Sequence, residues 1–186
     1  MSNLFGIDIS FQSDPRWSGL VLEFPTWQNK PDTIGQFGCL LCASLNTYNH
    51  HNYITKSSLP QMTVAELNQK MIDNYGYNYL YWMHEYAADP DCTEKVKNAC
   101  YGREAFLLPN VLDKILGIKQ RINFTGVVDL APVNEYYLLH TNFMNTEAGH
   151  WSWLVNNDGQ TIVDSWDGVK RTYSKDKVLG IIKLVF

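Results

Sequence analysis

The sequence predicts an α+β protein, and three observations carry that reading. Leu41, Ser44, Leu45 and Tyr48 recur at the spacing of one helix face, as do Val64, Leu67, Met71 and Ile72. From Gln120 onward the pattern changes to apolar runs of strand length, at residues 122–130, 136–143, 151–155, 161–163 and 178–186. Between the third and fourth runs lies Asn156-Asn157-Asp158-Gly159, whose residues tolerate positive φ and so mark a hairpin. Helices first and antiparallel strands later define the class.

Taken in order, Phe5, Ile7, Ile9 and Phe11 alternate with Gly6, Asp8 and Ser10, which predicts a half-buried strand. A turn follows at Ser13-Asp14-Pro15, with Trp17 just after it. Pro25, Trp27 and Pro31 make residues 21–32 an ordered loop packed by aromatic rings. Residues 33–38, TIGQFG, then deliver Cys39 to the start of an apolar helix over 40–48. Gly35 and Gly38 let this loop turn sharply and bring backbone close to what sits there. A thiol at a helix start lies among unpaired N–H groups and the positive end of the dipole, which favours the nucleophilic thiolate. Read as structure alone, Cys39 is one more small apolar residue entering a core.

Thr63 begins the next helix, with Glu66 completing a capping box. Residues 75–82, YGYNYLYW, are dense in aromatics and suit either a core or the wall of a groove. Residues 85–104 are polar and hold Cys92 and Cys100; an insertion carrying a short helix is expected over 85–108. Pro109 opens a short helix that ends at Leu116, before Gly117.

Composition bounds the function. A chain of 186 residues fits a single domain, 1–186, with room for a sizeable core. It is 45% apolar and 18% charged, which places it among globular proteins. The net charge of −4, with no run of Lys or Arg, argues against nucleic acid as a partner and mildly against an anionic surface. No apolar stretch approaches the ~20 residues that span a bilayer. MSNLFGIDIS has neither a basic n-region nor an apolar h-region, so the expectation is no secretory signal, synthesis in the cytoplasm, and release by other means if the protein acts outside.

The four cysteines, at 39, 42, 92 and 100, do not fit a zinc site well, since the second pair is spaced too widely. No strand precedes the C-x-x-C in a βαβ unit, which weakens a redox reading. No metal and no cofactor are expected. Cys92 and Cys100 are read as free thiols in the absence of a signal peptide, with a disulfide as the alternative.

A thiol nucleophile needs a base within reach, and that base needs a third group to orient it. His50 and His51 lie about 16 Å along the helix from Cys39, too far to serve. His84 sits in an aromatic region, and His140 inside an apolar strand reads as structural. His150 is different: it follows Gly149 at the opening of a strand, and the hairpin at 156–159 brings Asp164 back beside it. Asp167 competes for any role given to Asp164. An oxyanion donor is also needed, and Gln12 and Gln36 are the candidates.

Four segments taken together resemble papain-like cysteine peptidases: FQSDPRW, TIGQFGC followed by an apolar helix, GHW, and VDSWDG. More specifically they are similar to the bacteriocin-leader-peptidase-like (double-glycine peptidase-like) group found in many bacterial and phage proteins. That group carries Gln-Asp-Pro-x-Trp, an isoleucine-Gly-x-x-Gly-Cys loop, Gly-His before a strand, and Asp-x-Trp-Gly. This chain departs at Ser13, which lengthens the first motif by one, at Cys42, where Ser or Thr is usual, and at Asp167, which separates Trp166 from Gly168. TVAELNQKM followed by YLYW also resembles the helix that follows the nucleophile helix in the group. The likeness covers about three quarters of the chain, estimated from the span of its motifs.

The resemblance implies a papain-like fold, with an N-terminal helical part whose nucleophile helix packs on a C-terminal antiparallel sheet. It implies Cys39 as nucleophile, His150 as base, Asp164 as orienting acid and Gln12 as oxyanion donor, with Gln36 second. The implied activity is peptide or amide hydrolysis, in the leading case of peptidoglycan stem peptides by a phage-type, endolysin-like enzyme. Two alternatives are a protein-processing peptidase and a catalytically silent module. The silent module could be a virion component bound to tail proteins, in which the 85–108 insertion lies over Cys39.

Overall fold

The computed structural model describes residues 3–100, 107–130, 132–142 and 149–186, the side chains of Asn3 and Leu4 excepted. The chain opens with a small hairpin, β1 (Asn3–Leu4) and β2 (Ile7–Asp8), and a second antiparallel pair, β3 (Val21–Glu23) and β4 (Asp32–Thr33). Helices follow: α1 (Ile34–Phe37), α2 (Cys39–Ile54), α3 (Val64–Asp73), α4 (Asn78–Glu85), α5 (Cys92–Cys100) and α6 (Pro109–Leu116). The rest is β5 (Gln120–Phe124), β6 (Glu135–Asn142), β7 (Gly149–Leu154), β8 (Thr161–Val163), β9 (Lys170–Thr172) and β10 (Val178–Val185). These last strands form one six-stranded sheet in the order β5-β10-β6-β7-β8-β9, antiparallel at every pairing. The architecture is α+β, as the change of pattern at Gln120 predicts.

Helix α2 is the axis of the molecule. It packs on β7, α3 and α6, and the main core gathers Leu41, Cys42 and Leu45 with Leu67, Met71, Leu112, Leu138, Trp153 and Val163. The predicted face of Leu41, Ser44, Leu45 and Tyr48 is buried, but so are Asn46, Thr47, Asn49 and Asn52, and the helix runs to Ile54 rather than Tyr48. Local bonds make that burial possible. Asn46 accepts from Ser10 N–H at 2.8 Å and donates to Ser10 C=O at 2.9 Å, and Asn49 does the same for Met62 at 2.8 Å each. Thr47 Oγ1 donates to Ser44 C=O at 2.7 Å. A helix end that reads as polar and turn-rich in one dimension is a hydrogen-bonding seam in three.

The capping box of Thr63 and Glu66 forms as expected, with Val64, Leu67 and Met71 buried below it. Gly117 ends α6 in the left-handed region, φ 69°. The aromatic stretch 75–82 divides: Tyr77 and Tyr79 are buried, while α4 beyond them packs on α5. There Tyr79, Val96 and Cys100 meet Trp27, Trp82, Met83 and Tyr86 in a satellite core. Buried Glu23 accepts the Tyr79 N–H at 2.7 Å, tying this helical pair to the N-terminal segment. Residues 101–106 of the expected insertion lie outside the described residues.

Two strand expectations need correction, and one strand is missed. The alternation at 5–11 does not make one long strand, because Phe5 (φ 56°) and Gly6 (φ 79°) turn the chain back within a hairpin. Residues 122–130 hold a strand only to Phe124; beyond Gly126 (φ 133°) the chain crosses the sheet's outer face, where Val128 packs on Tyr137, Leu139, Leu154 and Ile162. The polar edge strand β9 carries no apolar alternation and is read only from its pairing to β8. Phe143, the end of the predicted 136–143 strand, lies outside the described residues; β6 is described to Asn142.

Candidate active site

Cys39 is the first residue of α2 and half-buried. The helix's first backbone bond runs from Cys42 N–H to Gly38 C=O at 3.0 Å, so the Cys39, Leu40 and Leu41 N–H groups precede the ladder. Gly35, which lies in α1 rather than in the expected loop, and Gly38, between α1 and α2, are both required for space. A Cβ on Gly38 would sit 2.6 Å from Ile34 O, and one on Gly35 would sit 2.9 Å from Ser18 O. Gly38 has φ −81°, so closeness and not handedness selects it.

His150 is the second residue of β7. Trp153 pairs with Val163 and Leu154 with Ile162, a register that sets Asp164 opposite Ser152 and makes His150 its diagonal neighbour on the same face. The His150 Nε2 to Asp164 Oδ1 distance is 2.7 Å. The Cys39 sulfur lies near enough to the same ring to act on its proton. Burial alone would push the His150 pKa down; the Asp164 carboxylate and the Cys39 sulfur outweigh it and hold it up at about 9. Asp164 moves the other way. Its burial would raise it, but the bonds from His150, Trp166 N–H and Arg171 bring it to about 2. The pair is therefore an imidazolium on a carboxylate at neutral pH.

Asp164 is fully buried and saturated with donors. Trp166 N–H reaches Oδ1 at 2.9 Å, Tyr173 Oη reaches Oδ2 at 3.1 Å, and Arg171 Nη1 donates to Oδ2 as well. Asp167 does not compete for His150; it is paired with Arg171. Arg171 and Tyr173 escape a reading of the sequence because nothing near them signals a site. It is the pairing of β9 to β8 that puts Arg171, and by continuation of the strand period Tyr173, on the Ile162 and Asp164 face.

The N-terminal arm joins the two halves of the site. Beyond Ser10, clamped by Asn46, Gln12 N–H donates to Ser165 C=O at 2.7 Å and Ser13 N–H to Trp166 C=O at 3.0 Å. Gln12 is buried, and its Nε2 donates to Gly35 C=O at 3.0 Å, in α1, which leads to Cys39. That bond fixes the amide orientation, leaving one further N–H and a buried Oε1 with no hydrogen-bond partner among the described residues. Gln36, the second choice, is exposed and bonded only weakly to Thr33, at 3.4 Å.

The other histidines fall elsewhere. His50 and His51 are at the far end of α2 among Phe5, Tyr136, Trp153 and Phe186; His84 stacks on Tyr75 at 4.1 Å. His140 stacks on Trp151 at 4.2 Å and explains Gly149, since a Cβ there would meet His140 Nε2 at 1.6 Å. Cys42 is fully buried and its thiol is pushed far up by desolvation, which makes it inert. Cys92 and Cys100 are not joined by a disulfide: they stand at opposite ends of α5, about 12 Å apart along its axis and out of disulfide range. Among the described residues no three His, Cys, Asp or Glu side chains gather to hold a metal ion, and no helix is long and apolar enough to cross a membrane. Compared with known proteins, the chain matches no family model, no curated protein and no solved structure.

Proposed function

We propose that the protein is a papain-like cysteine-dependent peptide hydrolase working through Cys39, His150 and Asp164. The observation that carries the reading is a single imidazole bonded to buried Asp164 at 2.7 Å and held protonated in part by the Cys39 sulfur, which stands at a helix start. The pair reacts as thiolate and imidazolium. Sulfur attacks the scissile carbonyl carbon, and the displaced electron pair settles on the carbonyl oxygen, held by the Cys39 N–H and the spare N–H of Gln12. Collapse of that intermediate breaks the C–N bond, and His150 gives its proton to the leaving amine. Water then attacks the thioester with His150 as base, releasing the carboxylic acid and the thiol. Asp164 stays ionised throughout and holds the ring.

The substrate class we favour is the peptide of bacterial cell wall, consistent with the likeness to phage and bacterial peptidases and with the absence of a basic footprint. Among the described residues, Trp151 follows His150 in β7, half-buried and stacked on His140, and Trp166 follows Asp164 by two residues and is 38% exposed. Trp153 lies in the core.

Alkylation with iodoacetamide between about pH 4 and about pH 9, mapped by mass spectrometry, tests the reading. Cys39 is expected to react at least about tenfold faster than Cys92 and Cys100 at mildly acid pH, with Cys42 unmodified and the advantage lost in His150→Ala. A Cys39 that reacts no faster than Cys92 would overturn it and turn attention to a silent binding module. If the advantage is present, release of new amino groups from purified peptidoglycan decides the substrate, with denatured protein as the processing-peptidase control.

A further inference from the structure

We propose that Arg171 and Asp167 form a charge-compensated pair that positions Asp164 and sets how firmly His150 holds its proton. The proposal rests on the triad reading and deepens it. Asp164 is a fully buried carboxylate with four donors: His150 and Trp166 N–H on Oδ1, Arg171 and Tyr173 on Oδ2. Four donors fill the lone pairs a carboxylate offers, so the orientation of Asp164 toward His150 is over-determined.

A guanidinium at that position carries a penalty for catalysis. A cation on Oδ2 draws the carboxylate's charge away from His150 and repels the imidazolium directly. Asp167 removes the penalty. Its two oxygens take both terminal nitrogens of Arg171, Nη1 to Oδ1 at 2.9 Å and Nη2 to Oδ2, so His150 sees a nearly neutral pair beyond Asp164. The turn is built for this. Asp164 C=O accepts Gly168 N–H at 2.8 Å, Asp167 Oδ1 accepts Val169 N–H at 3.1 Å, and Gly168 has φ 74°. Arg171 then returns on β9 four residues after Asp167. Asp167 is also the residue by which this chain departs from the Trp-Gly spacing of the peptidases it resembles. The pair's side chains are 37% and 30% exposed, so neither is needed to fill the core.

Among the described residues, the groups facing His150 include Asp164, Cys39 and, across β6, His140; those facing Asp164 include His150, Arg171 and Tyr173. Of these only Arg171 touches Asp167. The single variants therefore have opposite effects on His150. Asp167→Asn leaves Arg171 uncompensated and lowers the midpoint of the His150 titration by about one pH unit. Arg171→Met removes the cation, leaves Asp167 behind and raises the midpoint. The double variant returns it close to that of the parent protein, and Asp167→Glu keeps the parent value.

Proton–carbon NMR of the His150 ring, assigned by loss of its signal in His150→Gln, reads these midpoints in the intact chain without turnover. A pair that merely braces the turn would shift both single variants the same way or neither, and either result overturns the proposal. If Arg171→Met does not fold, the contrast between Asp167→Asn and Asp167→Glu decides alone. The readout does not depend on catalysis. Opposite shifts with an unreactive Cys39 keep the charge pair and sink the peptidase reading, whereas same-sign shifts with a reactive Cys39 do the reverse.

Discussion

At the residue scale, the site depends on close approach as much as on reactive groups. Gly149 stands next to His150 because the His140 ring, stacked on Trp151, occupies the space a side chain would take. Gly149→Ala is expected to push the ring off Trp151 and destabilise the fold by about 1–3 kcal/mol, measured by urea unfolding. Most of that loss should be recovered in Gly149→Ala with His140→Ala, since the two residues share one contact. The Gly-His pair was legible in the sequence as the opening of a strand; the reason for its glycine was not, because His140 is nine residues away and meets it only across the β6–β7 pairing.

At the scale of elements, α2 and the N-terminal arm form one device. Asn46 holds Ser10 by both its N–H and its C=O, and two residues later Gln12 reaches Gly35 while its backbone reaches Ser165. Asn46→Ala strands two buried backbone groups and is expected to cost on the order of 3 kcal/mol. The check is a lower urea midpoint at unchanged slope, which reports stability rather than a change of compactness. The helix itself could be read from its apolar spacing, but its last six residues could not. Asn49 to Ile54 look like a polar exit until Asn49 and Asn52 are seen to be buried. Likewise the 5–11 alternation is real, with Ile7 and Ile9 buried, yet its partners are side chains and loops rather than a neighbouring long strand.

For the whole molecule, the His150–Asp164 pair links folding to pH. His150 is raised from 6.5 to about 9, so the folded state binds that proton more tightly. Its contribution is complete below about pH 6.5 and is lost as pH rises through 9. Asp164 is lowered from 3.8 to about 2, so its contribution is complete above about pH 3.8 and is lost as pH falls toward 2. Thermal unfolding followed by circular dichroism should therefore show a plateau between about pH 4 and pH 6.5, with a decline on each side. In His150→Gln the alkaline decline should flatten, and an unchanged alkaline limb would show that this pair is not its source.

Sequence by itself determined the α+β class, the capping box at Thr63, the stop at Gly117 and the hairpin at 156–159, because each is written in spacing or in residues adjacent along the chain. It also singled out Cys39, His150, Asp164 and Gln12 as the residues to join. Tertiary structure alone decided how they join. The β7–β8 register chose Asp164 over Asp167, the arm between Asn46 and Ser165 brought Gln12 to α1 just before Cys39, and β9 carried Arg171 and Tyr173 to the far oxygen of Asp164. The physical reason is the same in each case. A hydrogen bond or a charge acts across a few ångströms of space, and the partners that matter here are 7 to 153 residues apart in the chain.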